Sequence, residues 1–89
     1  MSVAEKMREK LETAFSPTVL EIEDESEQHR GHSGYREGGE THFRVRIESS
    51  AFAGMSRVAR QRAVYDTLSE EMAGPVHALA LSVDAPQVD

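Results

Sequence analysis

The sequence predicts an α+β domain with the order helix, strand, strand, helix, strand and a three-stranded mixed sheet. Three observations lead there. Apolar residues recur at every fourth position near the start, strict alternation runs from Thr41 to Glu48, and a helical segment separates that strand from a final apolar run.

The first helix opens with Ser2 and Glu5 in capping-box spacing and aligns Val3, Met7, Leu11 and Phe15 on one stripe. Ser16-Pro17 ends it, because proline lacks an amide donor and disfavours helical geometry in the residue before it. Thr18 to Asp24 reads as a strand with Leu20 and Ile22 on one face and Glu21 and Glu23 on the other. Glu25 to Glu40 is polar, carries Gly31, Gly34, Gly38 and Gly39, and has no apolar period, so it reads as a long loop. Structureless loops of that length are uncommon in compact domains and are usually functional or disordered. Thr41 to Glu48 directs Phe43, Val45 and Ile47 to a core and His42, Arg44, Arg46 and Glu48 to water.

After a turn containing Phe52 and Gly54, Ser56 is placed to cap a second helix with Val58, Tyr65, Leu68 and Met72 on its stripe. Gly74-Pro75 stops that helix, and Val76 to Val83 reads as the third strand. A helix of about eighteen residues spans about 27 Å, close to the ~26 Å of an eight-residue strand, so it returns the chain to where the second strand began. The third strand then runs parallel to the second, and the first pairs with it antiparallel. The loop and the start of the third strand share one edge. His29, His32 and His77 are expected to gather there, with His42 nearby.

The 89 residues form one domain over residues 1–84 with a polar tail at 85–89. A chain this short has a thin core and little room for an interior catalytic cavity. It has no cysteine, so it cannot by itself build a disulfide, a thiol nucleophile or a thiolate metal site. A net charge of −6 opposes the broad basic footprint of non-specific nucleic-acid binding. No apolar run approaches a membrane span and the N-terminus shows no signal pattern, so the expectation is a cytoplasmic protein without a membrane partner.

Imidazole is the one strong soft-metal ligand this chain offers. His29 and His32 read either as loop ligands or as solvated side chains. His77 shares its strand parity with Leu79, Leu81 and Val83, and reads either as a ligand or as a hydrogen-bonded core residue. For His42 the better reading is a structural hydrogen bond or simple exposure. Arg57, Arg60 and Arg62 near the start of the second helix, with Arg44 and Arg46 on the polar strand face, read as a basic surface for an acidic partner or nucleic acid. The alternative is ordinary ion-paired arginines. No sheltered acid–base pair or phosphate-cradling glycine pattern is present, so neither catalysis nor a small-molecule substrate is expected.

Taken together, these residues resemble the BolA family. The resemblance covers nearly the whole chain: the first helix, Asp24-Glu25-Ser26, the histidine loop, Glu40-Thr41-His42-Phe43, Phe52-Ala53-Gly54, the arginine-rich helix start, Val64-Tyr65 with Leu68, and Pro75-Val76-His77-Ala78-Leu79-Ala80. It implies helices packed on one face of the sheet, similar to the class II KH arrangement. It also implies an adaptor rather than an enzyme, pairing with a monothiol glutaredoxin that bears a Cys-Gly-Phe-Ser site. Such pairs share a two-iron, two-sulfur cluster with glutathione, and no tightly bound cofactor is expected in the isolated chain. The family's second histidine ligand maps onto His77, and its loop ligand onto His29, with His32 close enough to replace it. Arg60-Gln61-Arg62 stands where many relatives carry Arg-His-Arg, so any role of that histidine is absent. BolA-like proteins are also described as DNA-binding transcriptional regulators, which gives a second reading through the arginines. A third is a zinc site of His29, His32 and His77, predicting stoichiometric metal in the isolated chain.

Overall fold

The computed structural model describes residues 2–25 and 41–86. The elements are α1 (Val3–Phe15), β1 (Val19–Asp24), β2 (His42–Glu48), a 3-10 turn (Ser50–Phe52), α2 (Arg57–Thr67), α3 (Ser69–Ala73) and β3 (Ala78–Asp84). The Ser2 hydroxyl accepts the Glu5 amide at 3.1 Å, as the capping spacing predicts. α1 buries Met7 and Leu11 completely, with Val3 and Phe15 packed at the margin of the core. It ends where Ser16 turns left-handed (φ 44°) and its amide returns to the Glu12 carbonyl at 3.0 Å, just before Pro17.

The sheet order is β1-β2-β3, antiparallel between β1 and β2 and parallel between β2 and β3. Leu20 lies opposite Ile47 and Ile22 opposite Val45, while Phe43, Val45 and Ile47 lie opposite Leu79, Leu81 and Val83. These rows form the core together with Met7, Leu11, Val64 and Leu68, so the helices cover one face of the sheet. Each fully buried apolar side chain of β2 contributes about 1.5–3 kcal/mol. The opposite face exposes Glu21, Glu23, Arg44, Arg46, Ala80 and Ser82.

Between β2 and α2 the Ser49 hydroxyl donates to the Phe15 carbonyl at 2.5 Å and accepts the Ala51 amide at 3.1 Å. This holds Phe52 in the core, its ring 4.8 Å from that of Phe15. Gly54 then reverses the chain at φ 78°, a conformation costly for a side chain. Ser56 caps α2 by accepting the Ala59 amide at 3.1 Å.

The second helix differs from expectation in two ways. It is interrupted at Leu68, where the backbone leaves helical geometry (φ −101°, ψ 21°). The Thr67 hydroxyl donates to the Ala63 carbonyl at 2.9 Å, a local competitor for helical hydrogen bonding. The buried stripe is also rotated: Val64 and Leu68 are fully buried, whereas Val58 is 64% exposed and Tyr65 37%. Tyr65 lies over β3 and donates its hydroxyl to the Leu79 carbonyl at 2.9 Å.

α3 carries the buried acid Glu71, whose two carboxylate oxygens accept from Lys10 Nζ at 3.0 and 2.9 Å. The hydrogen bond to Glu71 is the main cause that raises the Lys10 pKa above its ordinary 10.5. This contact joins α1 to α3 across the helical layer. Among the described residues, no helix is long and apolar enough to cross a membrane.

Candidate functional site at the start of the third strand

β3 begins at Ala78, two residues later than the alternation predicts, and the difference decides where His77 goes. The Thr41 carbonyl accepts two successive amides, from His77 at 2.7 Å and Ala78 at 3.1 Å. Two residues set against one is the arrangement of a β-bulge, and it shifts side-chain parity by one position. Val76 therefore takes the core position, with its amide held by the Glu71 carbonyl at 3.0 Å, and His77 is exposed. A core histidine at residue 77 is excluded. Among the described residues no side chain or backbone group hydrogen-bonds the His77 ring.

His42, expected on the wet face, is instead 5% exposed. The Thr41 hydroxyl lies 2.9 Å from its Nδ1, which is the structural hydrogen bond that the sequence allowed. Its ring centroid is 5.3 Å from that of His77, with the planes inclined at 53°. Two of the four imidazoles thus meet at one edge. The Glu25 amide donates to the His42 carbonyl at 2.8 Å, so Glu25 and Thr41, which bracket the 26–40 segment, both sit at this edge. His29 and His32 belong to that segment and lie outside the described residues.

The arginines separate into two groups. Arg44 and Arg46 stand on the sheet face away from the helices and are paired, Arg44 with Glu25 at 3.1 Å and Arg46 with Glu21 at 3.2 Å and Glu48 at 3.0 Å. Arg57, Arg60 and Arg62 belong to α2 on the other side, so the five do not form one continuous basic face. The Arg60 Nε donates to the carbonyls of Phe52 and Met55, both at 3.1 Å, and thereby closes the 3-10 turn. Arg57 and Arg62 are exposed and have no ion-pair partner among the described residues. Arg57 and Arg60 border a groove of about 280 Å³ against Leu81, Ser82, Val83 and Asp84 of β3.

With this arrangement in view, comparison with known proteins is decisive at the level of family. The profile of the BolA-like protein family matches residues 11–87. The chain belongs to the BolA family. It is 54% identical to an uncharacterized Sinorhizobium protein of the cobS 5′ region, over 97% of this chain and 94% of that protein. It is 52% identical to BolA-like protein 1 of Mus musculus over 90% of its length, but spans only 56% of that relative. The DNA-binding transcriptional regulator BolA of Escherichia coli is 43% identical over 91% of this chain and 73% of the relative. Among solved structures, the BolA domain of SufE1 from Arabidopsis thaliana superposes with a TM-score of 0.85 at 44% identity, covering 97% of this chain and 94% of that one. The BolA fold expected from the sequence is the fold observed. Thr41 and the Lys10–Glu71 pair were not legible as structural anchors, since Lys10 and Glu71 are 61 residues apart.

Proposed function

We propose that this BolA-family chain is a non-enzymatic adaptor that pairs with a monothiol glutaredoxin and supplies histidine ligands to a bridging two-iron, two-sulfur cluster. The reading serves iron–sulfur trafficking or iron sensing. Its support is the exposed His77 imidazole, bulged out of the core beside the two anchors of the segment that carries His29 and His32. A ring with no hydrogen-bond partner among the described residues is a competent ligand, because no bond need be broken before coordination. Among the described residues no three His, Asp or Glu side chains gather into a metal site. In this reading His29, with His32 as its substitute, supplies the second imidazole, and the partner's cysteine and a glutathione thiolate supply the rest. Imidazole in place of thiolate raises the potential of such a cluster and gives it a protonation-sensitive ligand.

Reconstituting the pair with iron, sulfide and glutathione, and recording visible circular dichroism, tests the proposal. His77→Ala is expected to change the spectrum, and separate His29→Ala and His32→Ala variants to show which loop residue ligates. A spectrum unaltered by His77→Ala removes His77 from the ligand set.

The name of the Escherichia coli relative and the exposed Arg57 and Arg62, without an ion-pair partner among the described residues, favour a second reading, duplex DNA binding. It predicts a steep fall in affinity with salt, with a log–log slope of about −0.9 for each phosphate neutralised. Absence of binding at low salt eliminates it.

A further inference from the structure

We propose that Thr41 and His42 are positioning residues for His77: one dipeptide clamps the backbone of the exposed imidazole and sets a fixed ring beside its side chain. The inference rests on the reading of His77 as a ligand and goes beyond it, since neither Thr41 nor His42 is assigned a role there.

The contacts converge from two directions. The Thr41 carbonyl accepts the amides of His77 and Ala78, at 2.7 and 3.1 Å, which fixes the backbone from which the His77 side chain projects. The hydroxyl of the same threonine lies 2.9 Å from His42 Nδ1, and the His42 ring stands 5.3 Å from the His77 ring. The two rings are unequal in freedom. His42 is 5% exposed, lies within β2 opposite Ala78, and has its Nδ1 engaged. His77 is exposed and precedes the strand. The buried ring therefore acts as a wall and the exposed ring as the element that it restricts.

The size of the effect follows from rotamer populations. An unrestricted histidine samples three χ1 wells and a roughly two-fold χ2, so confinement to one arrangement raises the competent fraction by about three- to sixfold. Apparent affinity for a metal group rises by the same factor.

The test uses the full chain with His42→Ala, which removes the wall, and His42→Phe, which restores a ring without its nitrogens. In the isolated protein, three-bond NMR couplings are expected to show one His77 χ1 rotamer in the wild type and in His42→Phe, and averaging in His42→Ala. In the reconstituted pair, the apparent affinity for the cluster, read by titration followed by visible circular dichroism, is expected to be about three- to sixfold weaker in His42→Ala and restored in His42→Phe. If His42→Ala fails to fold, Thr41→Val, which deletes only the hydroxyl beside Nδ1, is expected to give the same changes in smaller measure. Averaged His77 couplings in the wild type, couplings unchanged from wild type in His42→Ala, or no restoration by phenylalanine would overturn the proposal. His77→Ala keeps the two claims apart. A spectrum indifferent to that variant removes the ligand reading, whereas a His77-dependent spectrum with averaged wild-type couplings removes the positioning role alone.

Discussion

Val64→Ala and Val58→Ala make the same chemical change about one and two-thirds helix turns apart, and the fold requires opposite outcomes. Val64 is fully buried in the hydrophobic core that α1 and the sheet share, and Val58 is 64% exposed. Removing two buried carbons forfeits about 0.8 kcal/mol for each, and the unfilled space adds to that, for a loss of about 1.5–3 kcal/mol. At 4–8 °C per kcal/mol in a domain of this size, Tm falls by about 6–24 °C. Val58→Ala removes atoms that already face water and exchanges a β-branched residue for the best helix former, so its effect lies within about 0.5 kcal/mol and leans toward stabilisation. A domain of this length holds about 4–13 kcal/mol, which keeps both variants folded enough to measure at 25 °C. Urea and thermal unfolding followed by far-UV circular dichroism read the difference. Equal losses, or a larger loss for Val58→Ala, would mean that α2 presents the other stripe to the sheet and that the helix orientation described above is wrong.

Three further outcomes follow from individual contacts. The raised Lys10 pKa means that its contribution to stability is complete below pH 10.5 and is lost as pH rises through the raised value. The stability gap between wild type and Lys10→Met, measured by urea unfolding at several pH values, should narrow across that alkaline range and stay flat between pH 6 and about 9. Arg60→Ala should cost about 1–2 kcal/mol by removing the Nε–H that the Phe52 and Met55 carbonyls share, and Arg60→Lys, which has no N–H at that point of its side chain, should recover little of it in the same assay. Tyr65→Phe deletes the hydroxyl that holds the Leu79 carbonyl and should cost about 0.5–1.5 kcal/mol, with faster amide exchange in β3.

The sheet was legible because its central strand carries unbroken alternation: Phe43, Val45 and Ile47 are buried and Arg44 and Arg46 exposed, as the pattern requires. Helix length against strand length sufficed to make β3 parallel to β2. What escaped the sequence lies where one backbone group overrides a period. The double acceptor at Thr41 shifts the parity of residues 76 and 77, so His77, which shares its parity with Leu79, leaves the core. On α2 the signal was present but the stripe through Val58 and Tyr65 passes over it: Val64 stands four residues before Leu68, about 40° around the helix, whereas Val58 stands ten residues before it, about 80° away. Val64 and Leu68 join the core cluster and Val58 does not. For His42 the structural hydrogen bond was legible and the burial was not: parity places it on the polar face, where it meets the Thr41 hydroxyl and the His77 ring. The meeting of the described imidazoles followed from topology and is observed for His42 and His77, while His29 and His32 fall outside the described residues.

The proposed role of His77 is tested most directly by labelling only this chain with ¹⁵N-histidine, assembling the cluster with the glutaredoxin and glutathione, and recording pulsed EPR of the reduced form. A strong ¹⁵N coupling that weakens by one nitrogen in His77→Ala is the expected result. Couplings identical in wild type and His77→Ala, or no ¹⁵N coupling at all, would contradict it.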